Sequence, residues 1–285
     1  MAKMLNENIF LFSVDLEDIR LRMDDGLKYN ASVERLVGNY LEFLNKFKSK
    51  ATFFVVGDIP KYYPDLIKTL VKEGHEIACH SNLHLPVEKQ TAKEFKEDLL
   101  RNIESLTNAG ANQIVGYRAP FYSITPKTPW AFEVLAETGF KYSSSVLPSK
   151  NPIYGWPNFG EKPRKMKEGI WEIPISLSAN FMLTVPFAGG VYFRVLPKAI
   201  INWNFKKQFG NNNAVAGYFH PYDIDVDQEP YMHPGIDESW FYNKLLYHNR
   251  SKVFSRLDSI MERFQPKIIT YKNYFEELNS QDAKR

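Results

Sequence analysis

Short apolar runs of strand length alternate with helix-periodic segments through the first half of the chain, and several of these runs end in acidic, basic or imidazole side chains. Ile9–Val14 is followed at once by Asp15, Glu17 and Asp18. Leu36, Tyr40, Leu44 and Phe47 then recur at helical spacing behind a cap at Asn30 or Ser32. Thr52–Val56 is a second strand, Asp65–Glu73 a helix stopped by Gly74, and Glu76–Cys79 a third strand. Thr91-Ala-Lys-Glu94 is a capping box opening a helix that reaches about Asn108. Ile114–Tyr117 reads as a strand, Thr125-Pro126 as the start of a helix that Gly139 ends, and Lys141–Val146 as a further strand. A β-α-β-α order with short connections places parallel strands under a cover of helices.

Beyond Ser149 the texture changes. Asn151–Lys167, dominated by Pro, Gly, Asn and Trp, reads as a long surface loop. Ile170–Ile175 and Val215–Phe219 look like strands, and Val253, Leu257, Ile260 and Phe264 share one helical face. Ile268–Thr270 reads as a last strand and Asn273–Leu278 as a short helix. No linker separates two cores, so residues 1–285 are expected to form one domain with its core at about 9–278.

The 44% hydrophobic content is that of a globular enzyme, and a formal charge of +3 is too small to imply nucleic acid or an anionic membrane. A single cysteine, Cys79, excludes an internal disulfide. Met1–Glu7 holds no apolar run, and Ile9–Val14 is too short for a signal peptide or a transmembrane segment. These features favour a reducing cytoplasm. Oligomeric state is not readable from the pattern.

Four clusters carry chemistry. Strand periodicity puts Asp15 and Glu17 on one face; such acids are costly to bury without a cationic partner, although a solvated strand end would also account for them. His80-Ser-Asn-Leu-His84 follows the third strand; on a helix, imidazoles four residues apart share a face and reach one divalent ion, but the spacing alone is a weak signal. Arg118, in Gly116–Tyr122, is placed to pair with a carboxylate from a neighbouring strand end, or else is a surface residue of an ordinary turn. Tyr218-Phe219-His220-Pro221 ends an apolar run in a histidine that alone would read as a hydrogen-bonded core residue. All four lie at the carboxyl ends of parallel strands, where barrel enzymes assemble their sites. A carboxylate with two imidazoles makes an open three-ligand metal site, a second carboxylate supplies a base, and another imidazole an acid. That set suits metal-assisted hydrolysis of an amide.

In this order the motifs resemble the polysaccharide deacetylase family, carbohydrate esterase family four, over roughly Ile9 to Leu278. The stretches Ser13–Asp18, Pro186–Arg194 and Phe219–Asp225 resemble its cytoplasmic branch associated with bacterial surface-polysaccharide loci. The resemblance implies a deformed (β/α) barrel of about seven parallel strands, one divalent ion, Zn²⁺ above others, and a carbohydrate substrate. It implies that Asp15 is the general base, Arg118 its partner, and His220 the general acid. His80 and His84 become metal ligands with Glu17, or alternatively Asp18, as the third. The Phe121 backbone N–H becomes an oxyanion donor, and Tyr218 and Phe219 wall the acetyl pocket. Many members carry an aspartate where this chain reads Tyr142-Ser143-Ser144-Ser145. The partner of His220 is thereby open between Asp223 and a serine hydroxyl, and its pKa is expected to be lower than in relatives. The implied activity is N-deacetylation of a sugar. A ureide or cyclic-imide hydrolase of the same superfamily, a catalytically silent sugar-binding relative and a glycosidase using Asp15 and Glu17 are the alternatives.

Overall fold

The computed structural model describes residues 7–150, 154–178, 184–234 and 239–284. Its strands are β1 (Ile9–Leu11), β2 (Ser13–Leu16), β3 (Thr52–Val55), β4 (Glu76–Cys79), β5 (Gly116–Tyr117), β6 (Tyr142–Ser143), β7 (Arg164–Lys165), β8 (Trp171–Glu172), β9 (Val215–Ala216) and β10 (Lys267–Ile268). Seven form one sheet in the order β2-β3-β4-β5-β6-β8-β7, parallel except where β7 meets β8. β10, β1 and β9 form a second, parallel sheet. Backbone bonds join the two. On one side Asp15 N donates to Phe219 O at 2.7 Å and Phe219 N to Ser13 O at 2.9 Å. On the other, Ser176 N donates to Ala216 O at 3.3 Å. The α/β fold expected from the sequence rhythm is therefore present as a deformed barrel, joined by isolated bonds and not by a continuous ladder.

Period-two alternation along β2 divides this architecture into a packing face and a chemical face. Phe12, Val14 and Leu16 enter the main hydrophobic core with Leu36, Val37, Tyr40 and Leu44 of the helix Val33–Lys46. Phe12 stacks on Phe219 at 4.9 Å, and burying such a ring contributes ~1.5–3 kcal/mol. Ser13, Asp15 and Glu17 are left for the opposite face.

The capping box is present: Thr91 Oγ1 accepts from Glu94 N and Glu94 Oε2 from Thr91 N, starting the helix Ala92–Asn108. Other boundaries differ from the sequence reading. Ile9–Val14 is two strands parted at Phe12, because β1 pairs with β9 and β10 while β2 pairs with β3. Thr125 and Thr128 close a turn, so the next helix begins at Ala131. Lys141–Val146 narrows to β6 because the Ser145 and Val146 N–H groups donate to the Glu172 carboxylate at 2.8 and 2.9 Å. The final helix is longer than expected, Tyr271–Asp282. Helices Gly190–Val195, Lys198–Gly210 and Trp240–Tyr247 escaped the periodicity reading. Part of the expected long loop, Asn151–Ile153, lies outside the described residues. No helix among the described residues is long and apolar enough to cross a membrane.

Candidate active site

Asp15, Glu17, His80, His84, Phe121, Tyr218 and His220 line one cavity of about 370 Å³ at the carboxyl ends of the strands. Tyr122, Tyr154, Tyr192 and Tyr222 complete much of its wall.

Asp15 Oδ1 accepts from Arg118 Nη1 at 2.5 Å. The guanidinium is fully buried, donates further to Ser13 Oγ, Ser144 Oγ and O, and Tyr271 OH, and lies 3.9 Å from the centre of the Phe54 ring. Burial disfavours its charge, but Asp15 outweighs that, and the Arg118 pKa is raised. Such a pair is stabilising only while both partners remain.

Glu17 follows β2 and enters the same cavity. Its Oε2 is 3.3 Å from His84 Nε2 and its Oε1 3.7 Å from His220 Nε2. Burial would raise its pKa, but Arg22, His84, His220 and His80 hold the carboxyl well below the usual range. Asp18 faces elsewhere, accepting from Arg20 and from the Tyr63 hydroxyl. Of the two acids weighed as third ligand, Glu17 is the one beside the imidazoles.

The His80–His84 segment is a loop, which corrects the helical argument for this pair. Ser81 (φ 67) and His84 (φ 54) are left-handed, and the Asp98 carboxylate accepts from Asn82 N and Leu83 N at 2.8 and 2.9 Å. The rings still meet, with centroids 5.0 Å apart. His80 Nδ1 donates to the Arg118 carbonyl at 2.8 Å, leaving the Nε2 lone pair toward the cavity.

His220 finds its carboxylate in its own turn. Asp223 Oδ2 accepts from His220 N at 2.8 Å and lies 3.0 Å from Nδ1. Arg194 Nη2 lies 2.9 Å from Asp223 Oδ1, an ion pair without hydrogen-bond alignment, both side chains fully buried. Burial lowers the His220 pKa, but Asp223, then Glu17 and Asp15, outweigh it and the net shift is upward. Of the two partners left open for His220, Asp223 is the one beside its ring. At the vacated position, Ser143 Oγ donates to Ser145 Oγ, and the neighbouring Glu172, buried and pushed up to about 7, ties the same strand end.

Phe121 takes a left-handed conformation (φ 58) in the turn after Pro120, with its ring exposed against His84 at 5.1 Å. Tyr218 lines the cavity and packs edge-on to His220. Phe219 does not. It is fully buried in the core, because the strand alternation that exposes Tyr218 turns Phe219 onto Phe12 and Phe193.

Glu17 Oε2 and His84 Nε2 are spaced as two corners of a tetrahedral site, whose edge is about 3.3–3.4 Å for ligand bonds of ~2.0–2.1 Å. Two imidazoles and a carboxylate suit a zinc-like ion. Among the described residues, however, no three His, Cys, Asp or Glu side chains converge in an ion-ready geometry. Arg22 bridges two of the donors, contacting Glu17 Oε2 at 2.5 Å and His84 Nδ1 at 2.9 Å. Sequence reading missed Arg22, Arg194 and Asp98. Arg194 had a signal in the paired-glycine stretch: a Cβ on Gly189 would lie 1.6 Å from Tyr218 O, so the helix that carries Arg194 packs directly on the strand leading to His220.

The fold and this site define an α/β protein of deformed-barrel type with carboxylates, imidazoles and a buried guanidinium gathered at the carboxyl ends of its strands. The polysaccharide deacetylase family model matches residues 16–143, and a model described as a domain of unknown function, DUF3473, matches 144–272. The peptidoglycan deacetylase of Helicobacter pylori is 29% identical over 208 residues, covering 70% of this chain and 67% of that one. The peptidoglycan-N-acetylglucosamine deacetylase of Bacillus cereus is 27% identical over 106 residues, 36% of this chain and 34% of its own length. In structure, a polysaccharide deacetylase candidate from Mycobacterium smegmatis superposes with a TM-score of 0.64 at 19% identity, covering 97% of this chain and 92% of that one; at this identity the likeness concerns the fold. The family model and the relatives together support the polysaccharide deacetylase family, carbohydrate esterase family four.

Proposed function

We propose that the chain is a metal-dependent N-deacetylase that hydrolyses the acetamide of an N-acetylated sugar in a polysaccharide, oligosaccharide or activated precursor. The observation that carries this reading is the convergence of the Arg118–Asp15 pair, Glu17, His80, His84 and the Asp223–His220 pair on one cavity. The printed activities of the H. pylori and B. cereus relatives support the substrate class.

In this reading His80, His84 and Glu17 hold one divalent ion, zinc above others, which when bound polarises the acetyl carbonyl and lowers the pKa of water. Asp15 takes the proton of the attacking water, and Arg118 fixes the orientation of its carboxylate. The Phe121 N–H donates to the developing oxyanion, a contact of a kind worth ~3–4 kcal/mol. His220 Nε2 gives its proton to the departing nitrogen while Nδ1 stays on Asp223. The C–N bond breaks, leaving acetate and a free amine on the sugar. Tyr154, Tyr192, Tyr218 and Tyr222 offer ring faces and hydroxyls, a mixed lining that suits a pyranose ring.

The reading includes one catalytic domain, for which the sheet running from β2 to β8 across both matched ranges is support. It also includes a cytoplasmic location and a surface-polysaccharide substrate, supported by the lone free cysteine and the motif stretches named above. A glycosidase reading is less well supported, since Asp15 is ion-paired with Arg118 and Glu17 with Arg22. Incubating the protein with N-acetylated oligosaccharides, and assaying acetate, free amine and new reducing ends together, tests the proposal. Acetate and amine in equal amounts are expected. Reducing ends without acetate would replace it with the glycosidase.

A further inference from the structure

The two candidate metal-binding histidines are held in opposite tautomers. His80 Nδ1 faces a carbonyl oxygen, which can only accept, so Nδ1 carries the hydrogen and Nε2 is a free lone pair. His84 Nδ1 faces Arg22 Nη1 at 2.9 Å, and a guanidinium can only donate. Nδ1 of His84 is therefore an acceptor, and in the neutral ring the hydrogen lies on Nε2, which is 3.3 Å from Glu17 Oε2. That nitrogen has no lone pair to offer an ion. Glu17 Oε2, beside it, accepts from Arg22 at 2.5 Å. A metal-ligating histidine ordinarily gives its second N–H to an acceptor; His80 conforms and His84 is inverted.

We propose that Arg22 is a built-in competitor for the metal: its guanidinium takes Glu17 Oε2 and, through Nδ1, holds His84 in the tautomer whose Nε2 has no lone pair, and an ion enters only when Arg22 swings away and His84 changes tautomer. This inference rests on the metal-dependent reading above. Arg22 is free to move in one specific sense. Its Nε and Nη2 are buried without a hydrogen-bond partner, so its hydrogen bonds are those to Glu17 Oε2, the oxygen an ion would take, and to His84 Nδ1, the atom that sets the tautomer. Its charge also acts on Asp58, a half-buried carboxylate, which in this proposal is the partner of the displaced guanidinium. The ion would then leave Arg22 paired and not stranded, which an unpaired buried guanidinium would resist.

The test is zinc affinity of the full chain, measured against a chromophoric chelator and independent of turnover, for wild type, Arg22→Ala and Arg22→Gln. Loss of a second partner of a metal ligand weakens binding by roughly 10–100-fold, so removal of a competing one is expected to tighten it by a similar factor. Asp58→Asn, which removes the receiving carboxylate, is expected to weaken binding. Imidazole ¹⁵N NMR of the metal-free wild type should show His84 protonated at Nε2 and, once zinc is added, at Nδ1. Equal or weaker affinity in both Arg22 variants, with zinc bound by wild type, overturns the competition but keeps the metal site. The Nδ1–H tautomer of His84 in metal-free wild type overturns it too, even if Arg22→Ala folds poorly. No zinc binding by wild type or either variant overturns the metal reading and this proposal together.

Discussion

Asp223 Oδ2 lies 3.0 Å from His220 Nδ1 within a single turn, so the imidazole expected to deliver a proton takes its support from three residues downstream. Arg194, buried on the other side of Asp223, keeps that carboxyl charged: burial alone would raise its pKa, but Arg194 and His220 bring it down.

Only a protonated imidazole can act as the acid, so activity should fall as pH rises through the His220 pKa. Asp223 raises that pKa, so Asp223→Asn is expected to move the alkaline limb of kcat to lower pH and lower kcat at neutrality. His220→Ala should cost roughly 10²–10⁴-fold in kcat and abolish the limb. Ser143→Asp should not raise the limb; it sets a second carboxyl against the buried Glu172 and should lower the melting temperature. A pH profile of Asp223→Asn that overlays wild type would show that Asp223 does not set the limb, and a limb that survives in His220→Ala would show His220 to be a structural residue.

The acidic strand end separates base from ligand. Asp15→Asn should retain zinc yet lower kcat by orders of magnitude. Glu17→Gln should weaken zinc binding by more than the roughly 10–100-fold typical of an outer partner. Asp18→Asn should leave the ion in place and cost stability, through loss of the contacts to Arg20 and Tyr63. Metal analysis after dialysis reads all three, and loss of zinc in Asp18→Asn alone would reassign the third ligand.

His75 supplies a pH dependence unconnected to the site. Its side chain is buried, Nδ1 accepts from Ala51 N at 3.2 Å, and Nε2 has no hydrogen-bond partner. Burial first, then Lys50, lowers its pKa to about 4. The unfolded chain protonates this imidazole near 6.5 and the folded chain only near 4, so its contribution is fully present above pH 6.5 and is lost as pH falls toward 4. Urea unfolding of His75→Asn, whose amide oxygen can still accept from Ala51, should show a shallower loss of stability across that window. An unchanged slope would mean that His75 does not contribute.

Gly189 and Gly38 should respond oppositely to alanine. A Cβ at Gly189 meets Tyr218 O at 1.6 Å, so Gly189→Ala should cost ~3 kcal/mol or more and disturb the strand before His220. Gly38 lies inside the helix Val33–Lys46 with nothing within 4 Å of its Cβ, so Gly38→Ala should stabilise by about 0.5–1 kcal/mol. Denaturant midpoints decide both.

What was legible in the sequence was local or periodic. Period two along Ser13–Glu17 marked Asp15 and Glu17 as partners in one cavity, and the Thr91–Glu94 box fixed a helix start. His80 and His84 come within 5.0 Å ring to ring without the helix expected to align them, because Ser81 and His84 take left-handed turns that helical spacing does not foresee. Phe219 was misplaced because the adjoining Tyr218 and His220 face the cavity, and only the alternate face between them packs on Phe12. Arg22 and the Arg194–Asp223 pair were out of reach. Each depends on chain segments brought together by tertiary packing, and no spacing rule links Arg22 to a histidine 62 positions away.

The central claim is tested most directly by acetate release from an N-acetylglucosamine oligomer. Zinc-loaded wild type, protein stripped by chelator and the His80→Ala/His84→Ala variant would be measured side by side. The account predicts acetate from the loaded wild type, loss on stripping with recovery when zinc is returned, and none from the double variant at any zinc concentration. Undiminished acetate release by the stripped protein or by the double variant would contradict it.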